Sequence, residues 1–262
     1  MDVTASTSRK RHREPESGVS DQSLPAEDNL EFTDTFVAIR MMCAQFPHIE
    51  KVSIRPFVLQ SQLYSSVKDR TQVDRELESL KREKLVRIFK VNTGRDDHAI
   101  MLFDDYLSQI EHVIKRVEEK KQQNLPVFEW FKAHVISSKL DPYISHHELC
   151  SLLSLGGKVE DEHVSLLING GLLTGQLIDL NMYWFAIPNV GLVLKGISQG
   201  RNELLSLLNR RNFKEMTMAT LEKKRLRLSP LDMRFHLRDL IGSGRLRTVE
   251  TSSGLIVRVS KD

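Results

Sequence analysis

The sequence predicts a mainly α fold with small β-hairpins, α+β in class, built from three similar units in tandem. Three observations carry this. Apolar residues recur at three- and four-residue steps along most of the chain, the spacing of one helical stripe. Toward the end of each unit the period changes to an alternation around a polar or glycine-containing turn, the pattern of a hairpin. The 262 residues, 40% hydrophobic and 28% charged, suffice for two ordinary domains or three small ones. No uncharged apolar run approaches the roughly eighteen residues that a membrane helix needs, so no membrane is expected among the partners.

The elements follow in order. Phe32, Phe36, Ile39 and Cys43 share a helical stripe that must end before Pro47. Residues 57–67 are expected to be helical, with Pro56 at the entry. Thr71 is expected to cap a third helix with Val73, Leu77 and Leu80 as its buried stripe and Asp74 near its positive end. Val86 and Ile88, a turn at Asn92-Thr93-Gly94, and residues 99–102 then form a hairpin. Three short helices followed by a two-stranded hairpin is the order of a winged helix. A helix over 104–123 leads to a second copy, with helices at 127–136, 146–155 and 163–169 and strands at 172–174 and 183–187. The third copy has a long helix through Val193, Ile197, Leu204 and Leu208, helices near 214–222 and 230–241, and strands at 246–249 and 255–259.

One joint repeats. The last apolar residue of the third helix and the first of the strand are five apart in each copy: Leu80 to Leu85, Leu167 to Leu172, Ile241 to Leu246. Two copies place glycines there, Gly170 and Gly171, then Gly242 and Gly244, as a chain leaving a helix requires, and the first uses Arg82-Glu83-Lys84. The expected division is a tail at 1–30, a winged helix with linker helix at 31–122, a second winged helix at 123–189 and a third at 190–262.

The net charge of +3 conceals an uneven distribution: −2, +1, −4 and +8 over those four segments, the last from 15 cations against 7 acids. A folded segment that basic is either a phosphate-binding surface or a solvated face with scattered cations. Lys195, Arg201, Arg210, Arg211 and Lys214 lie on the long helix and its exit; Lys223, Lys224, Arg225 and Arg227 follow. Arg234 and Arg238 stand one turn apart on the helix expected to enter a groove, and Arg245, Arg247 and Arg258 flank the wing. Long flexible cations contact phosphates readily, so the expected ligand is double-stranded DNA, held by its backbone with modest sequence preference. The acidic second copy would repel phosphate and is expected to be a scaffold or protein-docking domain. The tail, polar and without apolar periodicity, reads as disordered, and Arg9, Lys10, Arg11 and Arg13 within it read as a nuclear-import signal, which would imply a nuclear location, as a contact for nucleic acid, or as a chance basic run. Two cysteines, Cys43 and Cys150, are too few for a disulfide framework or a thiolate zinc site. Neither a metal nor a cofactor is expected.

Fragments of catalytic motifs fail on inspection. Val37-Ala38-Ile39-Arg40 has arginine where a kinase strand has lysine, and Leu237-Arg238-Asp239-Leu240 lacks the preceding His and following Asn of a catalytic loop. Gly156-Gly157-Lys158 lacks the first glycine and the Ser or Thr of a phosphate loop. His146-x-Glu148 lacks the Pro-Cys-x-x-Cys half of a deaminase site, which leaves a polar helix start with Cys150 in the core. No catalytic residues are expected; the alternatives are an atypical serine/threonine kinase and a protein-only transcription scaffold.

Residues 58–65 (Val-Leu-Gln-Ser-Gln-Leu-Tyr-Ser), Asp69-Arg70-Thr71 with Asp74-Arg75-Glu76-Leu77, Gly200-Arg201, and Asp239-Leu240-Ile241-Gly242 carry a resemblance to the serine/threonine-protein kinase 19 family. It runs from about residue 35 to the end. The resemblance implies tandem winged helices without a kinase fold, in a nuclear DNA-binding protein of transcription-coupled nucleotide excision repair. It also implies partners among the repair proteins and RNA polymerase II machinery, and leaves room for a homodimer on DNA. The family's basic positions match at Lys195, Arg201, Arg210, Lys214, Lys224 and Arg225; another falls on Asn209, where the charge is absent.

Overall fold

The structure, a computed structural model, describes residue 1 and residues 33–50, 52–93, 96–119, 125–252 and 254–260. In the first unit α1 (Asp34–Ala44), β1 (Val58–Leu59), α2 (Gln60–Ser66), α3 (Arg70–Arg82), β2 (Val86–Asn92) and β3 (Asp96–Leu102) lead into α4 (Phe103–Glu119). The second runs α5 (Pro126–Trp130), continuing as a π-helical stretch Phe131–Ile136, then β4 (Tyr143–Ser145), α6 (His146–Leu153), α7 (Asp161–Asn169), β5 (Leu173–Gly175) and β6 (Met182–Phe185). The third runs α8 (Gly191–Asn209), β7 (Glu215–Thr217), α9 (Met218–Glu222), α10 (Met233–Gly242), β8 (Leu246–Thr251) and β9 (Gly254–Val259). The three antiparallel sheets share one strand order, β1-β3-β2, β4-β6-β5 and β7-β9-β8, with three helices per unit: winged helices in tandem.

Each sheet has one strand more than the hairpin pattern predicts. β1, β4 and β7 have two or three residues, too few to display an alternation. Residues 57–59, expected to be helical, are therefore extended up to β1, with Val58 opposite Ile100 and Leu59 opposite Ala99, and 215–217 likewise pair with β9 instead of forming a helix. The cap of α3 also moves: Asp69, not Thr71, accepts a hydrogen bond from the Thr71 amide at 2.9 Å. Asp74 accepts instead from the Tyr64 hydroxyl at 2.5 Å.

The joint between third helix and strand is more regular than its sequence suggests. One residue in each copy takes a left-handed conformation, Lys84 at φ 58°, Gly171 at 78° and Gly244 at 77°. The buried leucine six residues before the strand is Leu80, Leu167 or Leu240, so the third joint starts at Leu240, not Ile241. Gly242 is thereby placed inside α10, where a Cβ would fall 1.6 Å from the Ser61 carbonyl oxygen. Its role is close approach between helices, not a turn.

The units share their cores. Tyr106, Ile110 and Val113 of α4 pack in one cluster with Val127, Phe128, Phe131 and Phe185 of the second unit and with Val193 and Ile197 of α8, so α4 is a core element common to its neighbours. Arg87 of β2 is buried with its guanidinium 4.2 Å from the Phe185 ring centroid, and it donates to the carbonyls of Ile136 at 3.3 Å and Lys139 at 2.9 Å. Burial lowers its pKa to about 10, which leaves it cationic at neutral pH. The first and third units meet along α2 and α10. The Gln62 amide donates to the Phe235 carbonyl at 3.1 Å, Arg70 to the Gly242 carbonyl at 2.8 Å, and the Ser61 hydroxyl to Asp239 at 2.7 Å. The basic run Arg9, Lys10, Arg11 and Arg13 lies outside the described residues, as does Phe32.

Candidate nucleic-acid interface

The cations of the third unit divide into structural and exposed groups. Arg201 is 4% exposed, and its guanidinium lies along the Asp239 carboxylate with Nε–Oδ2 2.6 Å and Nη2–Oδ1 2.9 Å, while Nη1 reaches Asp97 at 2.6 Å and Thr93 at 2.9 Å. Burial depresses its pKa, but the hydrogen bonds and charges of Asp239 and Asp97 outweigh that and leave it raised. Arg201 is thus a bolt between two units and cannot reach a phosphate. The same packing explains Gly200, where a Cβ would lie 2.3 Å from the His236 ring.

The helix expected to enter a groove is also accounted for. α10 is covered by α2 on one side and buries Phe235, His236, Leu237, Asp239 and Leu240, so it has no bare face for a major groove. Arg238 is half-buried and donates to Gln45 at 2.7 Å; Arg234 stays exposed beside Glu222 at 3.4 Å.

Two exposed basic patches remain. Arg210, Arg211 and Lys214 form one, at the turn between α8 and β7. Beside β7, register places Glu215, Arg258 and Arg247 in a row across the third sheet, with Arg258 donating to Glu215 at 2.7 Å. The second patch is the segment between α9 and α10. The Glu203 carboxylate accepts from the amides of Arg227 and Leu228 at 2.9 and 3.0 Å, which pins the segment to α8. Lys223, Arg225 and Arg227 are left exposed and Lys224 half-exposed. Lys223, Lys224, Arg225 and Arg234 line a groove of about 440 Å³ together with Pro47 and Leu231. Lys195 is exposed but stands 15 residues before Arg210 on α8, about 22 Å along the axis at 1.5 Å per residue.

Five acids of this unit have partners, while Glu250 stays exposed at the end of β8. Glu203 holds a loop, Glu215 and Glu222 meet Arg258 and Arg234, Asp232 caps α10 through the Phe235 amide at 2.8 Å, and Asp239 holds Arg201. Glu215 and Glu222 each offset one cation, and the excess of 15 cations over 7 acids leaves the unit net positive.

The motif fragments have structural explanations. The Trp130 indole lies over Gly156 and Gly157, where a Cβ would come within 2.2 and 2.5 Å. His146 opens α6 behind the Ser145 cap and meets the Tyr183 hydroxyl at 3.1 Å; Cys150 is half-buried and packs against the core. Burial pushes the Cys43 thiol up to about 12 and raises Cys150 as well, the opposite of an activated nucleophile. Among the described residues no group of three or more His, Cys, Asp or Glu could hold a metal, and no helix is long and apolar enough to cross a membrane.

Sequence reasoning missed two exposed features. The second unit's wing carries Leu177, Ile178 and Leu180, exposed at 84% or more, and the α8–β7 turn carries Phe213 at 76%. Leu-Ile-Asp-Leu between two strands was the available signal for the first; Phe213 gave none, because one aromatic among cations is unremarkable without its exposure.

These features together define a tandem winged-helix protein with a basic third unit, in which the kinase-like fragments serve as packing. Residues 22–259 match the Stk19 family model, described as inactive serine-threonine protein kinase 19, and the chain belongs to that family. It is 29% identical over 233 residues to Winged helix repair factor 1 of Xenopus laevis, covering 87% of this chain and 84% of that protein. Identity to the Homo sapiens protein of the same name is 27% over 208 residues, 79% and 78% of the two chains, and to that of Mus musculus 27% over 224 residues, 85% and 84%. The family is described as inactive and its members here are named as repair factors, so the protein is not a kinase.

Proposed function

We propose that this protein is a nuclear, non-enzymatic repair factor that binds double-stranded DNA through the phosphate backbone, using the third unit. The observation that carries the reading is the pair of exposed basic patches, Arg210, Arg211 and Lys214 at one turn and Lys223 to Arg227 at the next, with Glu203 holding the second segment through its amides and Glu215 paired with Arg258. Because α10 is covered, the contact is made by turns and sheet edge, which reach phosphates more readily than base edges, and little sequence preference follows. Arg234 and Lys195 are peripheral contacts in this scheme, Arg238 is a minor one, and Arg201 is excluded.

The relatives' name supports work in repair, and the transcription-coupled pathway beside RNA polymerase II is the finer role we assign. There the acidic second unit docks protein. Its wing tip presents Leu177, Ile178 and Leu180, a cluster that contributes nothing to the fold and that suits an apolar pocket on a partner.

A salt series on duplex affinity tests the DNA reading. Each phosphate contact contributes about 0.9 to the slope of log affinity against log salt, so reversing Arg210, Arg211 and Lys214 to Glu should flatten the slope by about 3 and abolish binding near physiological salt. An unchanged slope would refute the placement. Wild-type binding that vanishes at physiological salt favours a protein-only scaffold, the reading to which the apolar wing points.

A further inference from the structure

We propose that Phe213 is a stacking platform for an unpaired nucleobase, so that the third unit prefers duplex DNA containing unpaired nucleotides over continuous duplex. This rests on the DNA-binding reading above. Phe213 is the most exposed aromatic residue among those described, it lies outside the core of its unit, and it makes no ring contact there. It sits in Arg210-Arg211-Asn212-Phe213-Lys214, every residue of which is exposed.

The turn is held rigidly enough to present a ring. The Arg211 amide donates to the Leu208 carbonyl at 2.9 Å and the Lys214 amide to the Arg211 carbonyl at 3.0 Å. The Lys214 carbonyl accepts from the Val259 amide at 3.1 Å, which ties the turn to β9. Lys214 occupies the left-handed region at φ 53°, a conformation that redirects the chain immediately after Phe213. The nearest acid in sequence, Glu215, is engaged by Arg258 and does not oppose a phosphate.

A flat apolar ring between cations matches a nucleotide: the base offers a π face and the flanking phosphates accept Arg and Lys. Bases inside a duplex already stack on both faces and give the ring nothing. An unpaired base can leave the stack and lie on it, and the cations then hold the backbone on either side. Stacking of one base on an aromatic side chain corresponds to about tenfold in affinity.

The test uses the full chain with two DNAs of equal length, one fully paired and one with a central unpaired bubble carrying 2-aminopurine. The wild type should bind the bubble about tenfold more tightly and alter the fluorescence of the probe base. Phe213→Ala should lose both effects while keeping its duplex affinity within about twofold and its melting temperature unchanged; Phe213→Trp should keep the preference. Equal binding of the two DNAs by the wild type, or a preference that survives Phe213→Ala, overturns this proposal and leaves duplex binding standing. Failure of the wild type to bind either DNA overturns the DNA reading and this inference together.

Discussion

The Arg201 guanidinium and the Asp239 carboxylate form a two-pronged pair inside the protein, at 2.6 and 2.9 Å, with Asp239 fully buried. Arg201 reaches on to Asp97 of the first unit and Asp239 accepts from Ser61 of the same unit, so the pair lies at the seam between the first and third winged helices. Replacing Arg201 by Ala strands a buried carboxylate, at a cost of about 3–5 kcal/mol. Thermal unfolding should show that loss, and a weakened DNA affinity in this variant would report instability. Arg211→Ala, at an exposed position, should leave the melting temperature unchanged and weaken DNA binding.

Gly242 tests the same seam through sterics. A methyl group there overlaps the Ser61 backbone, which cannot swing aside as a side chain can, so Gly242→Ala should destabilise by about 3 kcal/mol or more. Gly244 has open space at its Cβ but a φ of 77°, and Gly244→Ala should cost only about 1 kcal/mol. Denaturant midpoints of the two variants should fall in that order.

Lys84 occupies the left-handed position that glycine holds in the other two copies. Lys84→Gly removes the strain of a Cβ there and pays a smaller entropic penalty, for a net gain of about 0.5–1 kcal/mol. The melting temperature should rise by about 1–4 °C. A fall would show that the Lys84 side chain contributes contacts beyond its backbone conformation.

His236 makes stability depend on pH. Its ring is buried and accepts or donates at Ser229 Oγ over 2.8 Å; burial lowers its pKa to about 4, with Asp239, Asp232 and Glu203 raising it and Arg201 lowering it further. The unfolded chain takes up this proton near pH 6.5 and the folded one only near 4. Stability from this group is therefore complete above about pH 6.5 and falls as pH drops toward 4, by up to about 3 kcal/mol. Melting temperatures measured between pH 7 and 4.5 should decline in the wild type and decline less in His236→Gln.

The segments that carry the family resemblance acquire a shared meaning in three dimensions. Residues 58–65, Arg70, Gly200-Arg201 and 239–242 converge where α2 meets α10, although almost 180 residues separate Ser61 from Asp239. Arg201 had the sequence profile of a phosphate ligand. Nothing local distinguishes an arginine that pairs with a distant buried carboxylate, as Arg201 does with Asp239, from one that faces solvent.

The sequence alone determined the local elements and their repetition, because helical stripes such as Val73, Leu77 and Leu80 and alternating strands are written in periods of a few residues. It also located the charge, since segment sums need no geometry. The short strands β1, β4 and β7 escaped it, for they exist only through pairing with residues some 40 positions away. Tertiary structure alone decided which cations are free. It buried Arg201, covered the face of α10 that a lone winged helix would offer to a groove, and left Phe213 exposed amid Arg210, Arg211 and Lys214, because burial and pairing follow from which surfaces meet and not from residue type.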